Sequence, residues 1–194
     1  VEKGKAMKLI LHICITIFVI ITVYRISAVI GSRIHAFVDP VYTETFYKNI
    51  EDAYNGSQYR VKLNPHIIPD ETIISYASGA YARGVDPILL NSEYTPLGKY
   101  ILGVSILFLK NDSFPILIFG LLAIGILWLL AYNIFADIWL AFIPVILLGN
   151  EQLFLDQFKT TPLLDIVQLP FILLALLLFI IEDKRHIYIA TALC

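Results

Sequence analysis

Residues 9–30 form a mostly apolar run that, as an α-helix, reaches roughly 33 Å and so crosses the hydrocarbon layer of a bilayer. Lys3, Lys5 and Lys8 precede it, as basic residues precede a secretory signal peptide. However, the run is longer than a signal core, and Tyr24-Arg25 stands where a small-residue cleavage site belongs, so the sequence reads as a signal anchor. Arg25 is costly at mid-bilayer and is expected to snorkel to the interface or to face protein.

Three further apolar segments follow. Residues 114–132 make the second span, with Pro115 in its first turn, where a missing N–H costs nothing. Residues 138–155 make a third, interrupted by Pro144 and by Gly149-Asn150-Glu151-Gln152, so that its outer end is irregular or wet. Residues 163–181, the most aliphatic, make the fourth. A new apolar stretch, Ile187-Tyr188-Ile189-Ala190, is too short to span, and the chain reads as a piece of a longer protein.

Composition agrees. With 58% hydrophobic and 15% charged residues and a mean hydropathy of +0.77, the chain is far more apolar than a soluble domain of its length. The basic residues are scattered and the net charge is −2, which argues against nucleic acid as a partner. Cys14 and Cys194 supply neither a disulfide framework nor metal-ligand spacing. The expectation is an all-α polytopic membrane protein with four transmembrane helices and the start of a fifth. It divides into residues 1–30, a long loop over 31–113, and residues 114–194. Lys3, Lys5 and Lys8 before the first span and Lys184-Arg185 after the fourth place both ends in the cytoplasm and the loop outside it.

Inside the loop, three helices are predicted. One runs from Thr43 to Tyr54 with Phe46, Tyr47, Ile50 and Tyr54 on one face, and Asn55-Gly56 stops it. A second starts at Asp70 as N-cap, repeats Ile73, Ile74, Ala77, Ala80 and Tyr81, and ends at Gly84. Both suit a membrane surface or a packed lid equally. The third starts with Thr95 as N-cap and Pro96 at the first helical position and runs to Lys110 as a partly buried helix. Asn55-Gly56-Ser57 matches the N-glycosylation triplet, a pattern common by chance.

Three motifs stand in order along the chain: Val38-Asp39-Pro40-Val41-Tyr42, then Ser92-Glu93-Tyr94-Thr95-Pro96-Leu97-Gly98-Lys99, then Lys159-Thr160-Thr161-Pro162-Leu163-Leu164-Asp165. Together they resemble the GT-C membrane glycosyltransferases, most closely the protein O-mannosyltransferase and aminoarabinose transferase type. In that family the first motif is an Asp-Glu pair, and here Pro40 replaces the Glu. The second is His-Pro-Pro-Leu-Gly-Lys, and here Tyr94 and Thr95 replace the His and first Pro.

The resemblance implies transfer of a sugar, mannose among the candidates, from a polyprenyl phosphate donor to a protein or lipid acceptor. The reaction would take place on the extracytoplasmic face of the plasma membrane or endoplasmic reticulum. Such transfer needs a base near the acceptor hydroxyl and donors near the departing phosphate. Asp39 is the candidate base, although by itself it reads as a turn-forming Asp-Pro. Glu93 would position the acceptor or hold a divalent cation, the one cofactor its oxygens suit. Lys99, Arg33 and Arg83 would hold phosphate, with Tyr42, Tyr94 and Asp165 completing the substrate site. Each of the basic residues serves equally as an interfacial anchor, and Asp165 as a helix N-terminal charge. His35 and His66 are isolated in sequence and read as structural. GT-C enzymes need further helices, so residues 1–194 alone are expected to be inactive. A transporter with interrupted helices and a non-catalytic membrane scaffold are the alternatives. A loop of about 80 polar-rich residues favours the enzyme, because loops that long are usually functional.

Overall fold

The computed structural model describes residues 2–90 and 96–181, and among these the secondary structure is helical, with no strand and one isolated bridge between Ser57 and His66. Two compact units are formed, one by Val1–Ser32, Phe119–Asp156 and Leu169–Cys194, the other by Arg33–Ile118 and Gln157–Gln168.

The first unit begins with α1, Glu2–Ser32. Its apolar residues cover the whole circumference, and most of them, such as Ile13, Ile17, Ile20 and Val23, are exposed, the pattern of a helix meant for an apolar solvent. In chain order there follow α2 (Ile34–Val38), α3 (Glu44–Asn55), α4 (Asp70–Ala82), α5 (Pro96–Leu109), α6 (Phe114–Phe135), α7 (Phe142–Asn150), α8 (Gln152–Lys159) and α9 (Asp165–Ile180). Among the described residues, α1 and α6 are the two helices long and apolar enough to cross a membrane.

The third apolar segment is not one helix. It breaks into α7 and α8 at Glu151, whose backbone is extended at φ −69°, ψ 127°, and α7, at nine residues, is too short to span. The fourth becomes α9, whose 16 residues rise about 24 Å, and it carries Pro170 in its interior. The stretch 187–190 and the basic pair Lys184-Arg185 lie outside the described residues. Within the first unit α7 packs on α1 at Gly149, where an added Cβ would come within 2.9 Å of Ile26 Cδ1. Ala123 and Leu130 of α6 form a core with Leu173 and Leu177 of α9.

In the second unit, α3 starts within one residue of the predicted Thr43, whose hydroxyl accepts the Phe46 N–H at 3.1 Å, and Tyr47, Ile50 and Tyr54 are buried. The α4 helix differs from the prediction. Asp70 is its first residue rather than its cap, and every residue from Ile73 to Tyr81 is buried, so this is a core helix and not a surface one. Small side chains make that packing feasible: the Tyr42 ring lies against Gly79, and an added Cβ at Gly103 of α5 would meet the Ser78 carbonyl at 3.0 Å. Gly84, at φ +88°, turns the chain after α4 in the left-handed region that favours glycine. One face of α5 is buried, including Gly98, Lys99, Leu102 and Ile106.

Candidate functional site

Immediately after α1 the chain turns at Arg33, makes the one-and-a-half turns of α2 and leaves in extended backbone at Asp39. The Asp39 side chain is 51% exposed, and its Oδ2 lies 3.0 Å from Nδ1 of the exposed His35, one helical turn earlier. Besides its own turn hydrogen bonds, the backbone here is held by a buried amide, that of Asn111. Asn111 Nδ2 donates to the carbonyls of Ala36 at 3.0 Å and Asp39 at 2.7 Å. Its Oδ1 accepts the N–H groups of Ser113 at 2.8 Å and Phe114 at 2.7 Å. The same side chain thus anchors Asp39 and satisfies the orphan donors at the start of α6.

Next to Asn111 a chain of buried polar groups begins. The Tyr42 hydroxyl donates to the Ser75 carbonyl at 2.9 Å, and Ser75 Oγ donates to Asp112 Oδ2 at 2.5 Å. Ser113 Oγ lies 3.1 Å from Asp112 Oδ1 and 3.0 Å from Thr161 Oγ1. One hydroxyl has one proton, so Ser113 donates to one of these neighbours and accepts from or merely faces the other. Asp112 is 4% exposed. Loss of hydration raises its pKa above the usual carboxylate value, against the lowering effect of the Ser75 and Ser113 hydrogen bonds. Burial likewise raises the Tyr42 phenol, with the nearby Asp112 charge adding to it.

Ser75, Asp112, Ser113 and Thr161 of this chain line a cavity of about 240 Å3. Its polar wall contains Arg33, Glu71, Thr72, Ser75, Asp112 and Ser113, and its apolar wall includes Val41, Phe46 and Ile50. Arg33 Nη1 donates to the Lys159 carbonyl. Ala36 and Val41, on either side of Asp39 in the chain, are both in the wall. A polar molecule in this cavity would meet a guanidinium, hydroxyls and the side chains of two acids, Glu71 and Asp112.

The residues singled out in the sequence are therefore dispersed. Arg33 is in the cavity wall. Asp39 is exposed beside it, and Tyr42 is joined to Asp112 through Ser75. Lys99 is fully buried, with Nζ 5.5 Å from the centre of the Tyr81 ring. Arg83 is engaged by protein: its Nη2 pairs with Glu44 Oε1 at 2.8 Å, its Nη1 donates to the Gly79 carbonyl at 3.1 Å, and it stacks 3.7 Å over Tyr47. Asp165 is exposed in the first turn of α9, where its charge complements the helix dipole. Glu93 and Tyr94 lie outside the described residues.

Sequence reasoning missed Asn111, Asp112, Ser75 and Glu71, and passed over His35. Signals for two of them were present. His35 and Asp39 have the i, i+4 spacing that joins side chains on a helix, and Asn111 precedes an apolar helix by three residues, the position of a capping side chain. Among the described residues no group of three or more His, Cys, Asp and Glu side chains is arranged to hold a metal ion. Comparison with protein-family models, with curated proteins and with solved structures finds no match to this chain.

Proposed function

We propose that this chain belongs to a membrane glycosyltransferase of the GT-C kind, which moves a sugar from a polyprenyl phosphate to a hydroxyl of a protein or lipid acceptor on the extracytoplasmic face. Asp39 is the general base, and its solvent-open carboxylate is free to take the acceptor proton. Arg33 contributes positive charge toward the departing phosphate. The observation that carries the reading is the cavity beside Asp39: it opens one residue after the first membrane-length helix, at Arg33, and one residue before the second, at Ser113. Chemistry on a sugar phosphate needs a cavity with polar walls and a cation, and this one has both. A divalent cation would find an oxygen ligand in Glu93.

The test follows labelled sugar from a polyprenyl phosphate donor into acceptor, in membranes of cells making the native protein or Asp39→Asn at matched abundance. Transfer is expected to fall by about 100-fold or more, the usual worth of a general base, with donor binding retained. Equal transfer would remove Asp39 from the mechanism, and no transfer by either protein across a panel of donors would remove the glycosyltransferase reading. The break between α7 and α8, with Asn150 holding Arg25, favours a transporter as the second reading. Counterflow of a radiolabelled substrate, insensitive to Asp39→Asn, would support it.

A further inference from the structure

Arg25 is the one basic residue in the apolar stretch of α1, seven residues before its end at Ser32 and so about 10 Å below that end along the helix. Thr22 and Ile26 beside it are buried, but the rest of the surrounding surface of α1 is bare: Ile20, Ile21, Val23 and Tyr24 are exposed, and in a bilayer they face lipid. A guanidinium at that depth carries a large desolvation cost unless its charge is met. It reaches one side chain. Arg25 Nη1 donates to Asn150 Oδ1 at 2.7 Å.

Asn150 is itself fixed. Its Nδ2 donates to Thr22 Oγ1 at 2.7 Å and to the Ile146 carbonyl at 2.8 Å, and Thr22 Oγ1 donates to the Phe18 carbonyl at 2.8 Å. With its nitrogen occupied twice, the amide must present its oxygen to Arg25. An arginine that merely snorkels swings freely on its stem, whereas this one is tethered. The tether is neutral, and the negative end of the α7 dipole, which finishes at Asn150, offsets only a fraction of a charge. Among the described residues the Nε and Nη2 donors have no acceptor, and the guanidinium is not sealed against protein. The edge left open is one that meets two oxygens of a phosphate at once.

We infer that Arg25, oriented by Asn150 and Thr22, holds the phosphate of a membrane lipid in the leaflet at the C-terminal end of α1. The ligand class is a lipid with an anionic phosphate headgroup, and the inference rests on α1 crossing a bilayer, not on sugar transfer. A protein with no transferase activity would still have this site.

Native mass spectrometry of the full chain in detergent tests it, titrating phosphatidic acid, the matching diacylglycerol, and inorganic phosphate as competitor. Phosphatidic acid is expected to bind the natural protein about tenfold more tightly than Arg25→Gln, the worth of charge-assisted hydrogen bonds. Diacylglycerol should bind both equally. Arg25→Lys keeps the charge and the interfacial anchor but loses the fork, and should weaken phosphatidic acid by about threefold. That variant decides the matter if Arg25→Gln fails to fold. Unchanged phosphatidic acid affinity in a folded variant would overturn the inference. So would an equal loss of diacylglycerol, which would report a damaged apolar surface, or displacement by inorganic phosphate at equal concentration, which would make the ligand a free anion.

Discussion

Two aspartates in the second unit, one at the exposed end of α2 and one at the entrance to α6, show how the same side chain is given opposite work. Asp39 keeps half its surface in solvent and faces a single exposed neighbour, His35. Asp112 is sealed among the hydroxyls of Ser75 and Ser113, with a raised pKa. The exposed acid makes one side-chain contact and contributes little to folding. The buried one ties α4 to the start of α6, and its ionisation is opposed by desolvation. Between them stands Asn111, hydrogen-bonded to the Asp39 carbonyl on one side and capping α6 on the other.

Removing that link should have the largest effect. Asn111→Leu leaves the Ala36 carbonyl without the amide donor, leaves the Asp39 carbonyl with the Val41 N–H alone, and strips the cap from α6, which together cost about 3 kcal/mol. The check is an apparent Tm of the full chain in detergent. A variant as stable as the natural protein would show that the two regions are not joined through this amide.

Asp112→Asn comes next and depends on pH. The folded pKa lies above the unfolded one, so the stability associated with this group is fully present below the ordinary value of 3.8. It is lost as pH rises from there through the folded pKa. The natural protein should therefore lose stability relative to Asp112→Asn over that window, with a slope of at most about 1.4 kcal/mol per pH unit. The asparagine can still accept from Ser75, so the variant should fold. Parallel pH profiles would mean that Asp112 titrates as an ordinary surface acid.

The smallest structural effect belongs to Asp39→Asn. Its stability change should stay within about 0.5 kcal/mol, as for exposed positions generally, although under the proposed function the same variant is expected to lower sugar transfer by about 100-fold or more. A large fall in Tm would put Asp39 in the same class as Asp112 and erase the contrast.

Several starts and stops of helices were legible to within a residue because they depend on neighbours in the chain. The end of α3 near Gly56, the turn at Gly84 and the opening of α6 at Phe114 follow from local backbone preferences, whereas the sequence did not mark Thr43 as a cap and took Asp70 for one. The face that α3 buries was legible for the same reason, since one helical period sets it. The role of α4 was not. Its Ile and Ala spacing describes one apolar face, whereas Ser75, Ser78 and Gly79 on the other side are buried too, because α3 packs against it, Gly103 brings α5 close and the Tyr42 ring fills the space over Gly79.

Charge told least about position. Lys99, Arg83 and Arg33 look alike as isolated letters between apolar stretches, but the fold buries the first, spends the second on Glu44 and Tyr47, and sets the third in a cavity wall. By itself, then, the sequence determined an apolar, helical chain and the positions of α1 and α6 among the four spans it led one to expect, since hydropathy acts over a few turns. The interruption at Glu151 was legible too, in Gly149-Asn150-Glu151-Gln152; only tertiary structure decided that Asn111 reaches back to Asp39 and that Asp112 is enclosed. Those outcomes hang on which groups, distant in the chain, take up each buried donor and acceptor.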